Sequence, residues 1–547
     1  MEHGDGHEMY VFRDGRTEVS ASLLRRELEG DLRRVEGLHD PKLVRPALVG
    51  AVIRAGELEC GFADLGSEHA PALQRITDEL ASSLVGHDAE GSLERAGGAV
   101  RSLSLSGSLH VSPPEGFAYY GLHPLDYADL ADSLSNRLDR VCVIGIRTIG
   151  LTLSSVVMAA LRRQGKSATR TTVRPHGHPY DRRTSFDPAQ LEWLARERAQ
   201  GASAIVVDEG PGMSGSSFLS VADALRASGF APDHIDLFCS RRIDPSCLLA
   251  PDGARRWSEL RSHSPGQTPH RPADAASWIG GGQWRRCAYA DETCWPPSWP
   301  TMERPKFLSD DQRRILKFEG LGRYGAGVLA RAQALAEIGF GAPLEDAGHG
   351  FLAYANLAGS PMRSADASAE VLTRLAQYCA ARGTLAPAPR ATNLEPMMMQ
   401  NLLVAHGSRR HAPHLDVVRP VISDSRMMPH EWILTKESMF KCDAATHGDD
   451  HFFPGPVDIA WDVAGTIVEW HLAGEASEYF IDAYERASGD RVRSRVAPYL
   501  FAYTLFRLGC VRMAACSVDD VGERARLMQD YAGYRARLAR MLDVPIA

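Results

Sequence analysis

The sequence predicts a multidomain α/β protein: a helical N-terminal segment, a parallel sheet flanked by helices, and a second, α+β domain. Three observations predict it. At 547 residues the chain is too long for one ordinary core. Within 140–226, short β-branched runs alternate with helically spaced apolar residues, the pattern of βαβ units. After a stretch rich in Pro, Gly, Arg and Trp, a second strand–turn–helix series begins near Lys306. These shifts divide the chain into 1–100, 101–248, 249–300 and 301–547.

Composition narrows the class. With 44% hydrophobic and 24% charged residues the chain is an ordinary globular one. A net charge of −8 argues against a general nucleic-acid binder. Ten cysteines without a C-x-x-C pair indicate neither a zinc site nor a disulfide framework, so a cytoplasmic location is expected. The start, Met1 to Asp5, has no apolar signal region and no run reaches membrane-spanning length, so no membrane partner is expected.

In chain order, helical periodicity occupies 23–35, 40–59 and 72–84. No catalytic constellation stands there, and a packing or oligomerisation module, compatible with a homodimer, is the default. Residues 100–109 alternate Ser with apolar side chains, as a strand does. A buried strand at 140–145, a turn at 146–150 and a helix at 151–163 follow. The strand-like 171–173 leads into a basic, Pro/Gly-punctuated segment at 174–183. The segment 249–300, with Trp278, Trp284, Trp295 and Trp299, reads as a linker or a substrate-facing lid.

The most informative stretch is A-I-V-V-D-E-G-P-G-M-S-G-S-S, starting at Ala204. It places Asp208 and Glu209 at the carboxyl end of a strand, before a Gly/Ser loop and a helix start. Loop amides and a helix N-terminus attract anions, and paired carboxylates suit vicinal hydroxyls. A phosphorylated sugar satisfies both. This stretch resembles the ribose-phosphate signature of type I phosphoribosyltransferases, which use 5-phosphoribosyl 1-pyrophosphate (PRPP). The resemblance implies that Asp208 and Glu209 hold the ribose hydroxyls and take part in catalysis. Gly212, Met213, Ser214, Gly215, Ser216 and Ser217 become the 5-phosphate cradle, although Met213 and Ser214 depart from the usual residue types. Arg147 and Thr148 become pyrophosphate contacts. The 174–183 segment, with Arg174 and Arg182, becomes a mobile hood over the polyanion.

The second region puts Lys317 at the end of a strand, followed by a Gly-containing turn and a helix at 328–338. The run Gly350 to Gly359 reads as a strand entering a hinge, and a helix at 366–382 follows. This order resembles the amino lobe and hinge of the aminoglycoside/choline-kinase branch of the protein-kinase-like fold, which implies a bilobal α+β domain. It implies that Lys317 neutralises ATP phosphates, with Glu337 as its suggested acidic partner. Two registers remain for the carboxyl lobe. His447-Gly448-Asp449-Asp450-His451 copies the family's catalytic motif, but Asp458 follows too soon for a strand pair and a metal-binding acid. Spacing favours Asp424 as the catalytic-loop acid, with Glu431 and Asp443 as Mg²⁺ ligands and Asp458 to Ala464 as the structural acid-and-helix segment. Helices at 479–487 and 492–515 close the domain.

The function expected is a PRPP-dependent phosphoribosyltransferase acting on a base-like or small-molecule acceptor, joined to an ATP phosphotransferase. Mg²⁺ is its cofactor and its partners are small molecules. The alternatives are a nucleotide-cleaving salvage enzyme, or a non-catalytic PRPP-binding regulator with a degenerate kinase half.

Overall fold

The computed structural model describes residues 9–265, 270–407 and 412–542. Four N-terminal helices, Ala21–Glu36, Pro41–Asp64, Ala70–Val85 and Ala89–Ser102, pack together. The Ser20 and Asp40 side chains cap the first two, and Pro41 opens the second. The fourth helix replaces the start of the strand expected at 100–109. Val100 is buried from the helix, and the strand is Ser108–Val111, paired antiparallel with Thr17–Ser20. The Ser/apolar alternation is interrupted because 103–107 is loop, so only its end is sheet.

The parallel sheet runs in the order Ser167–Val173, Arg140–Ile146, Ser203–Val207, Ile235–Phe238 and Arg261–His263, every neighbour parallel. Period-two alternation feeds two cores. Val141, Val143, Ile205 and Val207 face the N-terminal helices and the helices Pro124–Leu134 and Ile149–Arg163. Cys142, Ile144, Ala204 and Val206 face the helices Pro188–Ala199 and Ser216–Ala227. Each fully buried Val or Ile contributes roughly 1.5–3 kcal/mol against exposure.

A five-stranded antiparallel sheet follows, ordered Ala275–Trp278, Lys306–Ser309, Arg314–Phe318, Phe351–Ala355, Leu344–Gly348. The 249–300 segment therefore gives one edge strand to each sheet. One face of the antiparallel sheet, with Phe307, Leu316, Phe318 and Phe351, joins the core under the N-terminal helices. Beyond it lies a helical lobe built from Ala369–Leu385, Glu395–His406, Ala460–Glu469, Glu475–Ser488, Arg493–Ser517 and Val521–Leu542. Among the described residues no helix is long and apolar enough to cross a membrane. All ten cysteines are free.

The helix Pro41–Asp64 ties the two sheets together by buried charge. Its Glu59 meets Arg170 of the parallel sheet at 2.8 Å, and Asp78 of the next helix meets the same guanidinium. Its Glu57 accepts from Arg323 at 3.0 Å and from the Tyr324 hydroxyl at 2.5 Å, at the start of the helix Arg323–Glu337. The Arg170–Glu59 pair, almost fully buried, is costly to break by removing one member.

Candidate functional site

Two places concentrate the chemistry. The first is the switch point of the parallel sheet, where the strand order reverses. The strand Arg140–Ile146 has its successor on one side and Ser203–Val207 on the other. Ligands in such sheets bind outside the carboxyl ends of the strands at this switch point. The loops there are 147–150 and 208–215. Gly150 is required for their approach, because a Cβ would lie 2.3 Å from the Val207 carbonyl oxygen.

Asp208 and Glu209 stand half-buried just past the carboxyl end of the strand Ser203–Val207. An Asp208 oxygen accepts from the Glu209 N–H at 2.8 Å, and the Glu209 carboxyl accepts from the Gly116 N–H at 2.9 Å. The Tyr127 hydroxyl fixes the backbone by donating to the Asp208 carbonyl at 2.6 Å. Burial raises Asp208 to about 7. Burial, with Glu115 and Asp208 nearby, raises Glu209 to about 8. Burial thus favours the protonated form of both carboxyls near neutral pH.

The loop residues Gly212 and Met213 are exposed, and Gly215 takes a positive φ just before the helix Ser216–Ala227. The basic segment forms the hairpin His176–His178/Asp181–Arg183. Its Pro179 carbonyl accepts from the Ser214 hydroxyl at 2.9 Å and the Ser216 hydroxyl at 2.7 Å, so the hairpin folds down on the loop. Ser217 lies in the first turn of the helix, where amides lack partners within the helix itself.

The arginines sit differently from the sequence expectation. Arg147 donates to the Ala63 carbonyl and to Asp64, each at 3.1 Å, and to Thr172. Arg174 pairs with both Asp64 oxygens and also donates to the Thr148 hydroxyl at 3.4 Å. Both guanidiniums are therefore turned to the end of the helix Pro41–Asp64, because Asp64 offers a carboxylate there. Arg182 donates to the Gly177 carbonyl within the exposed hairpin.

The second place is a cavity of about 370 Å³ between the antiparallel sheet and the helical lobe, a size suited to a small molecule. The sheet contributes Leu308, Ile315, Lys306, Lys317 and Tyr354; the other wall contributes Glu431, Asp443, His447 and Asp450. Lys306 and Lys317 are direct cross-strand partners. Like charges opposite one another destabilise a sheet, so their pairing needs an anion. Asp443 supplies it, 2.9 Å from Lys317 and 3.3 Å from Lys306. Burial raises the Asp443 carboxyl, but the two ammoniums outweigh it and hold the group well below the usual range.

Lys317 also meets Glu319 at 3.0 Å, and Glu319 accepts from Tyr354 at 2.8 Å. Glu337, suggested as the lysine's partner, is exposed at the end of its helix; the acid two residues along the chain takes that place.

Asp424 is fully buried and does not line the cavity. It accepts from Tyr378 at 2.5 Å and meets Lys441 at 3.2 Å. Glu431, expected at a metal, meets Lys441 at 2.8 Å. In the other register, Asp449 pairs with Arg331 at 2.9 Å, while Asp450 lines the cavity and burial raises it to about 6. Asp458 accepts from the Val418, Arg419 and Ala460 amides, and Asp462 accepts from the Asp424 and Ser425 amides. Those two acids hold backbone.

Sequence reasoning missed Asp64, Glu319, Lys441 and the 115–120 segment. For Lys441 a signal exists: it alternates onto the face of buried Met439 in a short strand.

The sequence matches no protein-family model and no curated protein. Among solved structures the chain is similar to a choline/ethanolamine kinase family protein from Mesorhizobium loti, with 18% identity and a TM-score of 0.33 over 44% of this chain and 86% of that one. An ethanolamine kinase from Plasmodium vivax gives 10% identity and a TM-score of 0.30 over 42% and 78% of the two chains. A choline kinase from Streptococcus pneumoniae gives 13% and 0.30 over 43% and 91%. These likenesses are slight and reach less than half of this chain.

Proposed function

We propose that the protein is a transferase with two sites: a kinase-like ATP phosphotransferase in the cavity and a PRPP-using site at the switch-point crevice. One observation carries the first part. Two lysines, held side by side on adjacent strands against one carboxylate from the opposite wall, form a place for phosphates. The apolar Leu308 and Ile315 beside them suit a base-like ring.

In this reading Lys306 and Lys317 bind phosphate oxygens as point charges. Asp443, open to the cavity, would hold Mg²⁺, which when bound screens phosphate charge. A base for the acceptor hydroxyl must reach the cavity, which Asp424 does not. Asp450 does, with a value near that of a base working close to neutrality. ADP production from ATP by the wild type, lost in Asp443→Asn, tests this; turnover unchanged by that substitution would sink it.

The second part is favoured by the crevice itself: two acids of raised pKa, a small-residue loop and a helix start meet at the switch point. There Asp208 and Glu209 would hold ribose hydroxyls, and the loop from Gly212 to Ser217 the phosphate. The hairpin of 176–183 would release Ser214 and Ser216 from Pro179 as it opens for the ligand. Arg174, freed from Asp64, would meet departing pyrophosphate. Pyrophosphate release from PRPP in the presence of purine, pyrimidine and small amine acceptors is the test. Release that persists in Asp208→Asn/Glu209→Gln would contradict the site.

A further inference from the structure

We propose that Lys441 is a resident cation, holding with its ammonium the position that a divalent ion would otherwise take between Asp424 and Glu431. Together with His447 these two acids bring ligand atoms within 4.8 Å of one another, the donor set of a metal site. Yet that set is already filled. The Lys441 Nζ lies 3.2 Å from an Asp424 oxygen, 2.8 Å from a Glu431 oxygen and 2.8 Å from the Cys442 carbonyl. Two N–H donors hydrogen-bond the Glu431 and Cys442 oxygens, and Asp424 completes the set as an ion pair.

The remaining donors are engaged too. The Asp424 carboxyl also accepts from the Tyr378 hydroxyl and the Arg426 N–H. The His447 Nε2 faces the Arg426 guanidinium, a second positive group beside the trio. The side chains of Lys441 and Asp424 are 0% exposed and that of Glu431 is 10% exposed. A divalent ion entering here would have to displace the buried Lys441 ammonium and would face the Arg426 guanidinium as well. Asp443 is also paired, with Lys306 and Lys317, but those lysines line the cavity where phosphates would draw them off, and its side chain is 24% exposed. The site therefore takes a divalent ion at Asp443 with the nucleotide and none at the trio.

The nucleotide part of this statement rests on the kinase-like reading; the filled trio does not. Mn²⁺ titration of the full chain, followed by electron paramagnetic resonance with and without ATP, separates them. In the wild-type background, Glu431→Gln is expected to leave the number of bound Mn²⁺ ions unchanged. Asp443→Asn is expected to weaken the ATP-dependent ion at least tenfold. Lys441→Met, if it folds by circular dichroism, is expected to gain one Mn²⁺ equivalent without nucleotide, and Glu431→Gln in that background removes it. Loss of a Mn²⁺ equivalent in Glu431→Gln alone would overturn the proposal, as would a folded Lys441→Met with no added ion. If Lys441→Met fails to fold, the Glu431→Gln result decides. An absence of any ATP-dependent ion would count against the kinase-like reading, and the Glu431→Gln comparison would then decide the role of Lys441.

Discussion

Binding of a Mg²⁺-carried sugar phosphate at the crevice should release protons, and the number follows from its two acids. Asp208 and Glu209 are raised to about 7 and about 8. At pH 7 the unliganded pair then holds roughly 1.4 protons, shared between sites that titrate together. Ribose hydroxyls and a cation favour the ionised pair, so binding expels those protons. Affinity for PRPP consequently rises with pH and levels off above about 8; between pH 6 and 8 the gain reaches up to roughly 500-fold if both groups must ionise. The stability of the unliganded protein runs the other way. Raised carboxyls keep protons in the folded state that the unfolded state has lost, so stability falls as pH rises from about 4 to about 8. Isothermal titration calorimetry at pH 7, in buffers of different ionisation enthalpy, counts the protons. A count of about one or more, reduced toward zero in Asp208→Asn/Glu209→Gln if any binding remains, is expected. Binding with no proton release would refute the assignment of these acids to the ligand.

Three further outcomes follow from geometry. Gly150→Ala places a methyl 2.3 Å from the Val207 carbonyl oxygen; it should cost about 1–3 kcal/mol and abolish PRPP binding, read by thermal shift with and without PRPP. Arg170→Met leaves Glu59 and Asp78 without their shared cation; urea unfolding should report a loss of about 3–5 kcal/mol. Asp64→Asn frees Arg147 and Arg174 from partly exposed pairs, so stability changes by less than about 1 kcal/mol. Its affinity for pyrophosphate should instead increase several-fold at low salt, measured by calorimetry.

Much of the scaffold was legible because local pattern and tertiary role agreed. The alternation Val141–Cys142–Val143–Ile144 belongs to a strand buried on both faces, and the structure sends those residues to two cores. The acids and Gly/Ser loop at 208–217 announced a strand-to-helix turn, and the lysine at 317 its strand. What escaped was pairing at long range. Nothing local tells Arg147 that Asp64, far back in the chain, will hold it. Nor does spacing reveal that Asp424 is walled off by Lys441, since both registers of the carboxyl lobe were judged by separation along the chain. The 249–300 segment looked like a linker because its strands are short and irregular, yet each completes a sheet edge. Edge strands of three or four residues leave little periodicity to read.

Amide hydrogen exchange read by mass spectrometry, with Mg·ATP and Mg·PRPP added singly, tests the two-site account most directly. Mg·ATP should slow exchange in 306–318, 351–355 and 439–450, which frame the cavity, while Mg·PRPP should slow it in 146–150 and 208–217. Mg·ATP that protects none of the cavity strands, or protects only the crevice loops, would contradict the claim that Lys306, Lys317 and Asp443 form a phosphate site.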